Sequence, residues 1–341
     1  MSYANIARGL REYGHSPHLL AGDQQVVDAF AALGFSASRV LTGNTGVREV
    51  RALAQALDRI GADALLVDRP RDLRLAALAS LLHPTAIVNR YNLSRDRPPV
   101  DLLSRIAYRR VALTIFVSAT LAERALRGAD YLRRRPHQVI LGAVDTDRFR
   151  PDPGAGAEFR AARSLERPFV LAVGSLTLDK RYDVLLDVWS RLGSAAPSLV
   201  VCGEGVHGER LRQRAKDLQV DVRFLGYVGP DELRGAYNAA ECFVHAGMVE
   251  TFGLSVLEAM ACGRPVLGVD SGAVPEVVGA AGVLAPADDG DAFLRLFQEL
   301  LRDERRRAAL GRAARQRVLE YFSLPGMWRA YASAIESVAR V

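Results

Sequence analysis

The sequence predicts an α/β protein made of two doubly wound domains. Short apolar runs alternate with longer amphipathic segments along the whole chain, which is the pattern of strand–helix units that build a parallel sheet. The alternation is interrupted once, at residues 148–168. At 341 residues the chain is long enough for two domains with separate cores.

The first half, residues 1–147, contains the strands of the predicted N-terminal domain. They are expected at residues 17–22, 37–42, 63–68, 85–90, 113–118 and 138–142. Helical patterns lie between them. One of these patterns, at residues 48–61, ends on Gly61, and glycine commonly ends helices.

The interruption at residues 148–168 is rich in proline, glycine and charged side chains, which is typical of an interdomain linker. The strands of the second domain, residues 169–320, are then expected at 169–175, 198–203, 222–227, 242–247, 265–270 and 282–286. A final helix at residues 321–341 is expected to pack back toward the first domain. Ligands of doubly wound folds bind at the carboxyl ends of the strands, in this case in a cleft between the domains.

The composition is that of a globular protein, with 49% hydrophobic and 25% charged residues. No apolar run approaches the roughly 20 residues needed to span a bilayer, and the first residues lack the apolar segment of a signal peptide. Three widely spaced cysteines argue against a disulfide framework or a zinc site. We therefore expect a cytoplasmic protein without a metal site.

The positive charge is concentrated in the first half. Residues 1–150 carry a formal charge of +8, and the remainder carries −2. This asymmetry favours an anionic partner, such as an acidic membrane surface on the inner membrane face or a phosphorylated acceptor. Nucleic acid is not expected, because no basic stripe is interleaved with aromatic residues. Arginines that only keep the surface soluble are the alternative.

Residues 101–111 combine apolar and basic side chains. Leu103, Ile106 and Val111 lie near one face of a predicted helix, with Arg105, Arg109 and Arg110 beside it. A helix that lies in a membrane interface and a helix that packs its apolar face on the core both fit this pattern.

The segment VETFGLSVLEAMACGRPV at residues 249–266 carries two glutamates eight positions apart, Glu250 and Glu258. A strand at 242–247 precedes it, and a short helix is predicted at 254–261, ended by Gly263. The free amides at the start of this helix form an anion-binding site. Gly253, which lacks a Cβ, lets a phosphate or sugar approach the backbone closely.

Glu258 stands in an otherwise apolar part of this helix. An ionised carboxylate there is costly unless it is paired. The hydroxyls of a ribose would satisfy it, and so would a neighbouring arginine such as Arg264. The residues alone leave both interpretations open.

Residues 242–286, together with FVLAVGSLTLDKRYDVLLDVW, LVVCGEG and VRFLGYVGPDELRGAYNAAE upstream, resemble the retaining glycosyltransferases of family 4. Their E-x7-E motif matches Glu250 and Glu258. A weaker resemblance is visible in the first half, at NIARGLREYGHSPHLLAG, FVSATLAERAL and VDTDRFRPD. The resemblance implies the GT-B fold, which consists of two Rossmann-like domains.

The resemblance also implies roles for individual residues. Glu258 would hold the ribose hydroxyls of a nucleoside-diphosphate sugar, and Glu250 would contact the transferred sugar. Lys180 would neutralise the diphosphate. Ser175 stands where the family has an arginine, and Arg181 is either its replacement or a solvent-facing residue. Backbone amides at Phe252, Gly253, Leu254 and Ser255 would receive the sugar and phosphates. The base would lie near Gly203, Glu204, Gly205, Gly226, Tyr227 and Val228.

The implied reaction transfers a hexosyl group from the donor to an unknown acceptor, with retention and without a metal or a cofactor. A lysine and a helix N-terminus stabilise the leaving diphosphate. Two alternatives are a catalytically silent sugar-nucleotide-binding partner subunit and another GT-B enzyme, such as a sugar-nucleotide epimerase.

Two features of the first domain depart from the family. The chain begins at the helix that normally follows a first strand and a glycine-rich loop, so we expect an N-terminal sheet without its central strand. Either the natural start lies upstream or another segment fills the gap. Arg90, Tyr91 and Asn92 stand where many relatives have a histidine. His245, on a strand, is expected to be structural.

Overall fold

The computed structural model describes residues 3–40, 45–92, 101–193 and 196–339. The chain forms two compact units, one comprising Met1–Gly142 with Leu324–Val341 and the other comprising Ala143–Ser323. The final helix thus belongs to the first unit, whereas residues 148–168 belong to the second.

The predicted linker at 148–168 is wrong, because Pro153–Ala162 forms a helix in this stretch. The side chain of Asp152 accepts a hydrogen bond from the amide of Ala155 at 3.0 Å, and Pro153 occupies the first turn. An acidic N-cap followed by proline is a helix-start signal. The proline and glycine content of these residues is typical of a linker, but here the proline belongs to the first turn of a helix.

The secondary structure of the first unit alternates between helices and strands. Its helices are α1 (Tyr3–Glu12), α2 (Gln24–Ala32), α3 (Val47–Ile60), α4 (Pro70–Ala79), α5 (Leu102–Tyr108), α6 (Ala119–Gly128), α7 (Asp130–Arg133) and, from the end of the chain, α16 (Leu324–Ala339). Its strands are β1 (His18–Ala21), β2 (Ser36–Arg39), β3 (Ala64–Val67), β4 (Ala86–Tyr91), β5 (Val111–Phe116) and β6 (His137–Val139).

The strands of the first unit form two parallel sheets, β1-β2 and β3-β4-β5-β6. Within the described ranges, no ladder joins β1 to β3, which agrees with the expected interruption of the sheet. Leu20 of β1 and Leu65 of β3 nevertheless pack against one apolar cluster, built mainly from α3 and α4. Shared packing under the two sheets therefore holds them in one unit.

Helix α16 packs against α1 through a close contact at Gly9. A Cβ at this position would lie 2.2 Å from the ring of Trp328, so glycine is required for the two helices to approach. No helix in the described part of the chain is both long enough and apolar enough to cross a membrane.

The second unit contains the remaining elements. Its helices are α8 (Pro153–Ala162), α9 (Tyr182–Leu192), α10 (Gly208–Asp217), α11 (Pro230–Ala239), α12 (Leu254–Ala261), α13 (Val274–Val278), α14 (Gly290–Arg302) and α15 (Glu304–Tyr321). Its strands are β7 (Phe169–Val173), β8 (Ser198–Cys202), β9 (Val222–Gly226), β10 (Cys242–Val244), β11 (Val266–Asp270) and β12 (Val283–Pro286).

The sheet of the second unit is parallel, with the strand order β12-β11-β10-β7-β8-β9. The chain runs outward from β7 through β8 to β9 and then returns to place β10 on the other side of β7. The strand order therefore reverses between β7 and β10. In doubly wound sheets ligands bind at this reversal, outside the carboxyl ends of the strands.

Candidate functional site

Two loops meet at the reversal between β7 and β10. One follows β7 and includes a 3₁₀ turn at Leu178–Lys180, and the other leads from β10 to α12. The amide of Met248 donates to the carbonyl of Asp179 at 2.9 Å, which joins the two loops directly. The structure thereby brings together Lys180 and Glu250, two residues that are 70 positions apart in the sequence.

Lys180, Glu250 and His245 form a buried charged cluster. The ammonium of Lys180 forms an ion pair with Oε1 of Glu250, and Nε2 of His245 lies 3.5 Å from the same oxygen. The three side chains are 18%, 12% and 6% exposed, respectively. Burial lowers the pKa of His245 to about 4, so the imidazole is neutral at pH 7.

The backbone around Glu250 is fixed from the neighbouring strand. The amide of Ala273, after β11, donates to the carbonyl of Glu250 at 3.1 Å. The hydroxyl of Ser271 donates to the carbonyl of Met248 at 2.7 Å. A Cβ on Gly272 would lie 2.8 Å from the backbone of Glu250, so the turn after β11 must be glycine to pack this closely. The carboxylate therefore stands on a rigid loop.

Helix α12 begins beside this cluster. Gly253, its N-cap, has φ of +87°, a conformation that glycine adopts without strain. Among the residues that the structure describes, no side chain caps this end of the helix. Its first amides have no partner within the helix and are oriented to receive an anion. Phe252, just before it, is buried and packs edge-on against Phe322 at 6.0 Å.

Glu258 is held by a tyrosine and not by the arginine considered above. The hydroxyl of Tyr237 donates to Oε2 of Glu258 at 2.8 Å. Arg264 instead donates to the backbone carbonyls of Cys262, Asn238 and Ala240. The interpretation that Glu258 pairs with Arg264 is therefore wrong. Burial raises the pKa of Glu258 to about 7, against the favourable effect of the Tyr237 hydrogen bond.

The raised pKa of Glu258 makes the stability of the free protein depend on pH. Between pH 4.5 and about 7 the folded chain keeps a proton that the unfolded chain releases, so this group lowers stability as pH rises. Glu258→Gln removes this effect. We expect the variant to exceed the wild type in free energy of unfolding by on the order of 2 kcal/mol at pH 8, and by much less at pH 5.

Urea unfolding at the two pH values measures this difference. Glu209→Gln is the control, since Glu209 is 86% exposed and should give no pH-dependent gain. A gain for Glu258→Gln that is equal at pH 5 and pH 8 would show that the carboxyl is ionised throughout.

The residues predicted to surround the base lie on two loops at the same edge of the sheet. Gly203, Glu204 and Gly205 follow β8, and Tyr227 and Val228 follow Gly226, the last residue of β9. The Glu204 carboxylate accepts a hydrogen bond from the amide of Tyr227 at 3.2 Å, which ties two of these loops together. Tyr227 itself is 71% exposed, whereas Val228 is buried.

The loop after β8 packs on the loop after β7 at glycine positions. A Cβ on Gly203 would lie 1.9 Å from the carbonyl oxygen of Gly174, and one on Gly205 would lie 2.6 Å from the backbone of Leu176. The amide of Leu176 also donates to the carbonyl of Glu204 at 2.9 Å. These glycines thus allow direct backbone contact between the loops that carry Lys180 and Glu204.

Two predicted residues, Ser175 and Arg181, make contacts with other side chains. Ser175 is exposed, with its hydroxyl 3.3 Å from that of Thr177. Arg181 pairs with Asp288 at 2.6 Å and lies 3.9 Å from Asp183. Its side chain is 32% exposed and ion-paired, and its role as a replacement for the family's arginine stays a prediction. Its φ of +52° directs the chain into α9.

Three residues of the first unit stand where many relatives have a histidine, namely Arg90, Tyr91 and Asn92. Arg90 is buried and lies 3.7 Å from Asp68, and Tyr91 is buried against Phe116. Asn92 is partly buried. Arg90 and Tyr91 thus take part in the core of their own unit.

Two contacts of the site were not predicted from the sequence. One is the hydrogen bond of Tyr237 to Glu258, and the other is the approach of His245 to Glu250. Tyr237 lies on α11, twenty-one positions from Glu258, and no pattern links the two. His245 directly follows β10, five positions before Glu250. Its place at the carboxyl end of a central strand was the available signal.

A comparison with protein families finds a match to glycosyl transferases group 1 over residues 157–317. This range contains Lys180, Tyr237, His245, Glu250 and Glu258, all in the second unit.

Curated relatives match the chain over part of their length. A GDP-mannose-dependent alpha-(1-6)-phosphatidylinositol monomannoside mannosyltransferase of Mycolicibacterium smegmatis is 37% identical over 191 residues, covering 52% of this chain and 50% of the relative. The D-inositol 3-phosphate glycosyltransferase of Corynebacterium jeikeium is 33% identical over 218 residues, covering 59% and 51%. The chain spans about half the length of these relatives.

Solved structures match over nearly the whole chain. A glycosyltransferase from Rickettsia africae has a TM-score of 0.85 at 16% identity, covering 98% of this chain and 93% of that one. Anabaena Alr3699/HepE in complex with UDP and glucose has a TM-score of 0.82 at 18% identity, covering 98% and 94%. The chain therefore has the GT-B fold, and its residues 157–317 are similar to the glycosyl transferases of group 1.

Proposed function

We propose that this chain is a retaining glycosyltransferase that moves a hexosyl group from a nucleoside-diphosphate sugar to an acceptor. The observation that carries the proposal is the meeting of Lys180 and Glu250 at the strand reversal, beside the uncapped start of α12. A cation and a helix N-terminus together suit a diphosphate, and the adjacent carboxylate suits sugar hydroxyls.

The proposed donor lies along α12. The diphosphate receives hydrogen bonds from the first amides of the helix, with Gly253 leaving room for it. The ribose hydroxyls donate to Glu258, whose other oxygen is already oriented by Tyr237. Because hydroxyls are better held by a carboxylate than by a carboxylic acid, the pKa of about 7 predicts tighter nucleotide binding at pH 8 than at pH 6.

In the reaction, negative charge grows on the diphosphate as the glycosidic bond breaks. Lys180 stabilises this charge, and the α12 amides do the same without reorganising. The Lys180 ammonium exchanges its ion pair with Glu250 for the phosphate, which frees the carboxylate to orient the transferred sugar. We propose that no metal or other cofactor takes part, so an excess of EDTA leaves turnover unchanged.

The names of similar proteins suggest which donors to try first. The Mycolicibacterium relative is described as GDP-mannose-dependent, and Alr3699/HepE was solved with UDP and glucose. A thermal-shift screen of GDP-, UDP-, ADP- and dTDP-sugars identifies the donor class, because a ligand that binds the native state raises the melting temperature.

The two glutamates are distinguished by separate measurements with the donor so identified. Glu258→Ala should weaken binding of the bare nucleoside diphosphate about 10- to 100-fold, because charge-assisted hydrogen bonds to the ribose are lost. Glu250→Ala should leave that binding within about twofold and lower turnover about 10- to 100-fold. Calorimetry measures the first quantity, and release of nucleoside diphosphate measures the second.

Glu209→Ala is the matched control, with an exposed carboxylate on α10. If both site variants retain wild-type binding and turnover, the assignment of the site is wrong. Binding without release of nucleoside diphosphate would instead identify a silent sugar-nucleotide-binding subunit. A change in the sugar of the donor without an acceptor would identify an epimerase.

A further inference from the structure

A large basic cavity lies in the first unit, whereas Lys180, Glu250 and Glu258 lie in the second. Its volume is about 740 Å³. Its charged lining consists of Arg105, Arg109, Arg127, Asp130, Arg134 and Arg135, and we refer to this cavity as the arginine pocket.

The arginine pocket lies at the edge of the four-stranded sheet where the strands begin. Helix α5 ends at Tyr108 and β5 starts at Val111, while α7 ends at Arg133 and β6 starts at His137. The pocket is built from these connections. Ligands of doubly wound sheets bind at the opposite edge, where the strands end. The arginine pocket is therefore not the sugar-nucleotide site.

Most of the positive charge in the arginine pocket is not neutralised. Arg127 pairs with Glu123 at 3.2 Å, and the carboxylate of Asp130 is taken by Arg133. The other four arginines of the lining make no ion pair with any residue that the structure describes, and three of them are exposed. Four guanidinium groups around one cavity form a strong site for a phosphate group.

The floor of the pocket is well ordered by its packing. Tyr108 is buried and lies 5.2 Å from the ring of Tyr131, centroid to centroid. The side-chain amide of Asn89, on β4, donates to the hydroxyl of Tyr108 at 3.1 Å. The arginines thus project from a floor anchored on the sheet.

Apolar side chains are exposed beside these arginines. Leu102, Leu103 and Ile106 of α5 are 71%, 63% and 47% exposed. The helix buries Ser104, Ala107 and Tyr108 instead, so of the two interpretations of this segment, the one in which Leu103 and Ile106 pack on the core is wrong. Helical spacing places Leu102 and Ile106 on the same face as Arg105 and Arg109. Along this face apolar and cationic side chains alternate, with the two arginines on one side of it and the two apolar residues on the other.

We propose that the arginine pocket binds the phosphate headgroup of an anionic phospholipid in a bilayer, with Leu102, Leu103 and Ile106 inserted among the lipid chains. A soluble phosphate would use the arginines but leave the three apolar side chains in water. Only a ligand with both an anionic head and an apolar body matches the whole surface. The binding is independent of the proposed transfer reaction.

Vesicle flotation tests this proposal with the full chain. Vesicles of phosphatidylcholine with 30% phosphatidylglycerol, on the order of the anionic content of cytoplasmic leaflets, are compared with phosphatidylcholine alone. We expect at least tenfold tighter binding to the anionic vesicles. Arg105→Gln with Arg109→Gln should weaken it about 30-fold, because each cation near an anionic surface contributes about a factor of five.

The matched control is Arg48→Gln with Arg51→Gln, which removes the same charge from exposed positions on α3. It should weaken vesicle binding less than threefold. A second test is Leu103→Ser, which changes an exposed side chain and so spares folding. It should weaken binding about tenfold, as expected for the loss of one buried leucine.

Three outcomes would overturn the proposal. Equal binding to both kinds of vesicle would show that the anionic headgroup is not recognised. Equal losses of binding in the two double-arginine variants would show that only the net charge of the protein matters. Binding of glycerol 3-phosphate or of a single-stranded RNA, without binding to vesicles, would assign the arginines to another ligand.

Discussion

Lys180→Ala should lower donor turnover about 100- to 1,000-fold, the effect of removing one preorganised charge that stabilises a transition state. Lys180 is 18% exposed and forms its ion pair with Glu250 at the strand reversal, so no other cation of this cluster takes over its role. His245 is neutral at pH 7 because burial lowers its pKa to about 4. The loss should appear mainly in kcat, since the charge that Lys180 meets grows as the bond breaks.

The sequence supplies a matched control for this variant. Lys216, the only other lysine of the chain, is exposed on α10, and Lys216→Ala should retain wild-type turnover. Steady-state release of nucleoside diphosphate measures both variants. Turnover of Lys180→Ala within threefold of the wild type would mean that the leaving diphosphate is stabilised elsewhere.

Gly203→Ala should destabilise the second unit by about 3 kcal/mol or more. The added Cβ would lie 1.9 Å from the carbonyl oxygen of Gly174, and a backbone atom cannot rotate away as a side chain can. The φ of Gly203 is +141°, which adds strain for any residue with a Cβ. The loops after β7 and β8 must then separate, which also displaces Lys180.

Urea unfolding followed by circular dichroism measures this loss. Gly229→Ala is the control in the same unit, because a Cβ there meets nothing within 4 Å and φ is −64°. It should cost less than about 1 kcal/mol. If the two variants are equally stable, the backbone contact between the loops does not contribute as described.

Strand positions were predictable from the sequence because each strand is a short apolar run between helical patterns. All twelve predicted strands are present in the described residues, most of them one or two residues shorter than predicted. The prediction at 37–42 begins one residue late and extends into residues 41 and 42, outside the described residues. Helix α12 was found at its predicted bounds, because its glycines mark both ends.

Contacts between residues that are far apart in the sequence were harder to predict than strand positions. That Glu258 accepts from Tyr237 and not from Arg264 depends on how α11 packs beside α12, and no local pattern records this packing. The same holds for His245 and its contact with Glu250. In helix α5 a local pattern was visible but did not identify the buried face. The sequence shows the apolar residues of the helix, whereas the structure buries Ser104 and Ala107.

The ion pair between Lys180 and Glu250 has a consequence for selectivity. With its charge already balanced, the lysine has little net attraction for chloride or inorganic phosphate, which bring no ribose to Glu258 to compensate for breaking the ion pair. In the proposed complex, a nucleoside diphosphate offers an anion to Lys180 and ribose hydroxyls to Glu258 at the same time. We therefore expect these small anions to compete poorly with the proposed donor.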